Sequence, residues 1–279
     1  MSERDFRIMG VINVTPDSFS DGGRYMAAEA AIAHGLELEV EGAAILDVGG
    51  ESTRPGADPV SETEELRRVM PVIEGLIERG AGARISIDTS KARVAARALE
   101  AGATLVNDVT ALRGDPDMAG VVASGGAECC LMHMLGDPRT MQDDPRYDDV
   151  VNDIKAFLSE RMEFAVRAGI AEARILVDPG IGFGKTIEHN LELLRRLGEF
   201  LDLGRPLVLG TSRKAFLGRL TGREAPDERL AATVATNVLA YERGARVFRV
   251  HDVGPVHDAL TVTAATVSAP WTTPTSTTK

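Results

Sequence analysis

The amino-acid sequence predicts a single (β/α)8 barrel of the α/β class (the TIM-barrel arrangement), and three observations carry that expectation. Eight short apolar runs alternate with longer amphipathic stretches, the pattern of parallel βαβ units. The short runs are continuous in Val, Ile and Leu, as in strands covered on both faces, rather than alternating with polar residues. The chain has 279 residues, close to the roughly 250 that one such barrel takes. An open doubly wound sheet can use as many units, but eight repeats in this length favour closure.

In order, the expected strands are Ile8–Val14, Ala44–Val48, Arg84–Ile87, Thr104–Val109, Glu128–Met134, Arg174–Val177, Leu207–Leu209 and Arg246–Val250. Helical stretches between them include Ala27–Glu41, Glu62–Arg79, Lys91–Ala101, Val150–Ala168, Glu188–Leu197 and Asp227–Arg243. Helix punctuation agrees. Ser61 precedes Glu64 by three residues, as in a capping box. Ser90 stands just before Lys91–Ala101 as a candidate N-cap, and Gly102 follows as a stop. Gly80, Gly169 and Gly244 also follow helical runs. No internal linker divides the chain, so residues 1–267 are expected to form one barrel domain. The tail SAPWTTPTSTTK (Ser268–Lys279) offers little apolar surface beyond Trp271 and is expected to be disordered.

Composition excludes several classes. Lys and Arg number 31 against 42 Asp and Glu, a net charge of −11. Such a chain is poorly suited to non-specific nucleic-acid or anionic-membrane binding, so an anionic substrate would need basic residues gathered locally. The two cysteines, Cys129 and Cys130, are neighbours. Strand neighbours point to opposite faces, which argues against an ordinary disulfide, and the absence of a CxxC pair removes zinc and redox motifs. The first residues lack a basic-then-apolar signal pattern, and no apolar run approaches the roughly 18 residues of a membrane helix. A reduced, soluble, cytoplasmic protein is expected.

Polar residues recur where the apolar runs stop: Asn13, Asp47 with Glu51, Asp88, Asn107 with Asp108, His133, Asp178, Arg213 with Lys214, and Arg249 with His251. A barrel would gather them at the C-terminal mouth, where barrel enzymes keep their active sites. Three loops join them. Asn13–Gly23 is long, polar and glycine-ended, a candidate lid. Gly49–Gly56 (GGESTRPG) combines flexible backbone, hydroxyls and a guanidinium that suit a phosphate. Asp178–Thr186 (DPGIGFGKT) tempts a P-loop reading, but Pro179 stands where that motif requires its first glycine, which argues against a nucleoside triphosphate.

MGVINVTPDSFSDGG (Met9–Gly23) and DVGGESTRPGA (Asp47–Ala57) resemble the two signature segments of the dihydropteroate synthase family. SIDTSK (Ser86–Lys91), VNDV (Val106–Val109), LMHM (Leu131–Met134), DPGIGFGK (Asp178–Lys185), TSRK (Thr211–Lys214) and RVHDV (Arg249–Val253) match in order, from about residue 6 to about residue 260. The resemblance implies the same barrel fold. It also implies condensation of 6-hydroxymethyl-7,8-dihydropterin pyrophosphate with p-aminobenzoate, a Mg2+ cofactor and a homodimer.

The resemblance assigns roles residue by residue. Asp178 would accept the amino-pyrimidinone edge, Asn107 would read ring nitrogens, and Lys214 would donate on the ring-carbonyl side. Asp88 would lie beside the reacting methylene, and Met132 and Phe183 would wall the pocket, with Gly210 also against the substrate. Thr53, Arg54, Arg249 and His251 would hold the pyrophosphate, and Asn13 would be the protein ligand of Mg2+. Asp88, Asp178, Lys214 and Asp21 form the implied catalytic group. The lid, with Phe19 and Asp21, would close over bound pyrophosphate and complete the p-aminobenzoate pocket with Pro55, Phe183 and Lys214. Sulfonamides, as aryl-amine mimics, would share that dependence. Carboxylates for the pterin and cations for the diphosphate would then occupy separate halves of the mouth. Ala215 departs from a family pattern that has Ser at this position, which leaves recognition of the aminobenzoate carboxylate to backbone N–H groups. Two other readings stay open: a methyltetrahydrofolate-type methyltransferase, and a non-catalytic pterin-binding paralogue.

Overall fold

The computed structural model describes residues 5–14, 24–54 and 56–268. Among these, eight strands form one parallel sheet: β1 (Arg7–Asn13), β2 (Ile45–Gly49), β3 (Arg84–Asp88), β4 (Leu105–Asp108), β5 (Glu128–Met132), β6 (Ile175–Asp178), β7 (Val208–Leu209) and β8 (Val247–Val250). Their order is β6-β5-β4-β3-β2-β1-β8-β7, and a parallel bridge between Val177 and Leu207 joins the two ends. The result is the predicted barrel. Around it lie α1 (Arg24–Val40), α2 (Glu62–Glu78), α3 (Ala92–Glu100), α4 (Met118–Gly125), α5 (Val150–Arg167), α6 (Ile187–Arg195), α7 (Ala215–Thr221), α8 (Leu230–Glu242) and α9 (Val253–Ser268). The sequence reading did not single out α4, α7 or α9. The last of these extends through Ser268, and residues 269–279 lie outside the described residues. No described helix is long and apolar enough to cross a membrane.

Helix ends follow local chemistry in most places. Gly80, Gly102, Gly169 and Gly244 all take positive φ, between 74° and 116°, just past their helices. Ser61 accepts the Glu64 N–H at 3.3 Å. Glu64 does not return the bond, because Arg67 and Arg68 take its carboxylate. Ser90 is not the cap of α3. Lys91 holds that position, and the Ala92 N–H is accepted by Asp115 at 2.9 Å, a partner 23 residues away that no local pattern announces.

Side-chain alternation along the strands sorts the interior. Met9, Ile45, Leu105, Cys130, Leu176, Val208 and Val247 pack together as an apolar plug inside the barrel. The odd partners of the pattern, such as Leu46, Val106, Cys129 and Val177, pack outward beneath the helices. Cys129 and Cys130 therefore lie on opposite sides of the wall, both free and buried, as the alternation predicted. Two residues further along five of these strands the inward position turns polar or small, while Met9 and Cys130 are followed by Val11 and Met132. Ile45 gives way to Asp47, Leu105 to Asn107, Leu176 to Asp178, Val208 to Gly210 and Val247 to Arg249. The plug is thus the floor of a polar layer at the C-terminal mouth.

Candidate functional site

Asp47, fully buried, organises that layer. Its Oδ1 accepts the Ser86 hydroxyl at 2.6 Å, and its Oδ2 accepts the Asn107 amide at 3.0 Å and the Arg249 Nε at 2.6 Å. Arg249 Nη2 reaches on to Asp88 Oδ2 at 2.7 Å. Four strands are tied through one carboxylate, and sequence reasoning had placed Asp47 only among the polar strand ends. Burial pushes the Asp88 carboxyl up to about 7, against the opposing pull of the Arg249 charge. Burial works against the Arg249 charge, but Asp47 and Asp88 more than offset it and hold the guanidinium firmly protonated. Cation and carboxylates interleave here rather than occupying separate halves of the mouth.

The β6–α6 loop supplies the opposite wall. Asp178 Oδ1 accepts the Gly180 N–H at 2.7 Å, so the carboxylate is set by the turn that follows it. Burial raises the Asp178 carboxyl, while the Gly180 bond and the charges of Lys214, Lys185 and Arg249 oppose the rise. Gly180 has φ +69°, and a Cβ there would stand 1.9 Å from the His133 carbonyl oxygen, so only glycine lets this turn pass. Lys214 lies along Gly182 and places its Nζ 3.9 Å from the centre of the Phe183 ring. Burial first, and then the Arg249 charge, lower this lysine to about 8. Phe183 packs with Met132 in a small apolar cluster that also holds Val109, Met134 and Met141. A Cβ on Gly210 would approach Asp178 Oδ2 to 3.9 Å and Arg249 Cβ to 4.0 Å, which locates Gly210 between them. The start of α6 is closed by a reciprocal box in which Thr186 accepts from His189 N–H and His189 Nδ1 accepts from Thr186 N–H, each at 3.2 Å. That helix end therefore has its own donors engaged.

Of the residues expected to hold the pyrophosphate, Arg249 lies in β8 and His251 directly follows it. His251 Nδ1 lies 3.0 Å from the Ser212 hydroxyl, and burial, with Arg249 and Arg213 nearby, lowers the imidazole to about 3. Arg54 is exposed, and its charge is felt at both Lys214 and His251. Thr53 is half-buried beside it, and Asn13 is exposed at the end of β1. Phe19, Asp21 and Pro55, with the rest of the 15–23 stretch of the expected lid, lie outside the described residues.

Not every strand-end polar residue reaches the mouth, and strand alternation explains the exceptions. Asn107 points in, so Asp108 points out, where it accepts the Thr110 and Leu112 N–H groups at 2.8 and 2.9 Å. Met132 points in, so His133 points out and packs edge-on against Phe157, with ring centres 4.9 Å apart. Lys185, unassigned from sequence, lies buried beside it, 3.0 Å from His133 Nδ1 and donating to the Phe183 carbonyl at 2.9 Å. Burial, then the Lys185 and Arg113 charges, lower His133 to about 2. Glu51 and Glu65 are bridged by Lys91 at 2.6 and 2.5 Å behind the second loop.

The pattern of the family described as "Pterin binding enzyme" matches residues 9–251. Dihydropteroate synthase of Escherichia coli strain K12 is 45% identical over 262 residues, 94% of this chain and 92% of that protein. The solved dihydropteroate synthase of Xanthomonas albilineans with 4-aminobenzoic acid is 51% identical with a TM-score of 0.88, covering 95% of this chain and 94% of that one. The Xanthomonas albilineans enzyme in complex with 7,8-dihydropteroate superposes with a TM-score of 0.85 at 48% identity, over 95% and 94% of the two chains. With its barrel, its polar mouth and relatedness along nearly its whole length, the chain belongs to the dihydropteroate synthase family.

Proposed function

We propose that the chain condenses 6-hydroxymethyl-7,8-dihydropterin pyrophosphate with p-aminobenzoate, giving 7,8-dihydropteroate and pyrophosphate. The observation that carries this reading is the convergence of Asp178, Asn107, Lys214, Asp88 and Arg249 on one mouth above the apolar plug, in a chain whose relatives are named dihydropteroate synthase. Asp178 takes the paired N–H donors of the amino-pyrimidinone edge. Asn107, whose Nδ2 is already committed to Asp47, offers its carbonyl oxygen to a ring N–H. Lys214 donates to the ring carbonyl, while Phe183 and Met132 bound the flat heterocycle. The methylene C–O bond breaks and its electron pair leaves with the diphosphate. The amine nitrogen of p-aminobenzoate then bonds to the methylene carbon and loses a proton. The transient cation delocalises into the pterin, where fixed carboxylates stabilise it. Arg249, Arg54, Thr53 and His251 receive the diphosphate.

Asn13 stands exposed at a strand end, and no group of three or more His, Cys, Asp or Glu suited to a metal occurs among the described residues. The Asn13 amide oxygen, with water and the substrate's own oxygens, would suit Mg2+. When bound, the cation supplies charge neutralisation on the leaving group. The same reading takes the chain to act as a homodimer. Two buried, free cysteines suit a reducing cytoplasmic setting.

Sustained pyrophosphate release with both substrates, well above that with either alone, is the expected outcome of a coupled assay. Absence of release from the folded chain with both substrates would overturn the reading. Asp88→Asn is expected to lower kcat about a hundredfold while leaving pterin affinity nearly unchanged, because its charge acts on the developing cation. Equal losses in the two would remove Asp88 from that role.

A further inference from the structure

Among the described residues, three besides glycine have positive φ: Ala111, Leu112 and Arg213. Only Arg213, at φ +59°, directly precedes a residue of the mouth, Lys214. An arginine has no local hydrogen bond that favours the left-handed region, so the surrounding structure must hold it there. Three ties do so. The Arg213 N–H donates to Thr233 Oγ1 at 3.1 Å, and its carbonyl accepts Arg229 Nη1 at 2.8 Å. Its guanidinium grips Asp252 through two bonds, Nε at 3.0 Å and Nη2 at 2.5 Å. Asp252 follows His251, so the pair braces the β7 loop against the β8 loop. Immediately after this turn, Lys214 caps α7 and its side chain runs over Gly182 to the Phe183 ring.

We propose that Arg213 is a positioning residue: its left-handed backbone, held by Asp252, Thr233 and Arg229, aims Lys214 into the mouth. The guanidinium itself is spent on Asp252 and does not serve the substrate. The inference rests on the assignment of Lys214 to the pterin made above.

Substitutions that separate backbone from side chain test it in the full-length chain. Arg213→Ala keeps the strain but loses one tie, so the turn relaxes and kcat/KM for the pterin substrate falls about a hundredfold, the scale of a misplaced group. Arg213→Gly loses the same tie but occupies φ +59° freely, so the two backbone bonds suffice and kcat/KM stays within about threefold of the parent. Arg213→Asn falls between them, since Asn tolerates this region. Asp252→Ala behaves like Arg213→Ala, and adding Arg213→Gly to Asp252→Ala restores activity. Should Arg213→Ala not fold, the Asp252→Ala pair, with and without Arg213→Gly, decides the matter alone. Equal losses for Gly, Asn and Ala, or failure of the rescue, would overturn the proposal. So would a lowered unfolding midpoint with kcat/KM of the folded fraction unchanged. Lys214→Met separates the two readings. Full activity in that variant removes the role of Lys214, whereas an inactive Lys214→Met alongside an unordered Arg213 series removes only Arg213.

Discussion

The Asp88 carboxyl and the Lys214 ammonium stand within one mouth with their titrations drawn toward neutrality. Burial raises Asp88 to about 7 and lowers Lys214 to about 8. The proposed chemistry needs the first as an anion and the second as a cation. Hence kcat/KM should rise as pH passes 7 and fall as it passes 8, and Asp88→Asn should flatten the acid limb while Lys214→Met flattens the alkaline one. A flat profile from pH 6 to pH 9 would sink the assignment. The same burial sets a stability cost. Because the folded pKa of Asp88 is raised, the stabilisation present below the ordinary carboxylate range is lost as pH rises through about 7, so Asp88→Asn should melt higher at pH 8 and not at pH 4. At this scale the sequence revealed which residue types end each strand. It did not reveal which of them face inward, because continuous apolar runs fix a strand without fixing its parity. Asp108 and His133 consequently turned out of the mouth, Lys185 emerged behind it, and Asp47 emerged at its centre.

Among the elements, the Asp178–Thr186 loop places the most chemistry on the fewest residues. Gly180→Ala should cost about 3 kcal/mol or more, since it adds a clash with the His133 carbonyl to the strain of a positive φ. Gly204→Ala is the matched control: its φ is +66°, but nothing lies within 4 Å of the added carbon, so about 1 kcal/mol is expected. Thermal unfolding of the two variants measures the difference, and equal costs would show that the carbonyl can yield. The glycines and Asp178 of this loop were legible as unusual. The carbonyl that forbids a side chain was not, because it belongs to His133, just past a different strand. The α3 cap was missed for the same reason, its acceptor Asp115 lying far along the chain. Helix ends governed by neighbours in sequence, such as Ser61 and Gly102, were readable.

For the molecule as a whole, repetition made the barrel legible and hid its seam. The β1–β2 ladder pairs five residues on each strand, whereas β6 and β7 meet through one bridge at Val177 and Leu207, where the Val177 N–H donates to the Pro206 carbonyl at 3.1 Å. Strand β7 has two residues. Amide exchange at Val177 should therefore outrun that in the β1–β2 ladder, and uniform protection around the ring would contradict this. The plug of Met9, Ile45, Leu105, Cys130, Leu176, Val208 and Val247 has a different consequence. It makes the barrel a cul-de-sac. Under the proposed function, water, heterocycle and product would all share the one polar mouth that holds Asp178 and Arg249. A ring that the proposed function seats deep against Asp178 would be screened by whatever docks above it, so it would have to enter first.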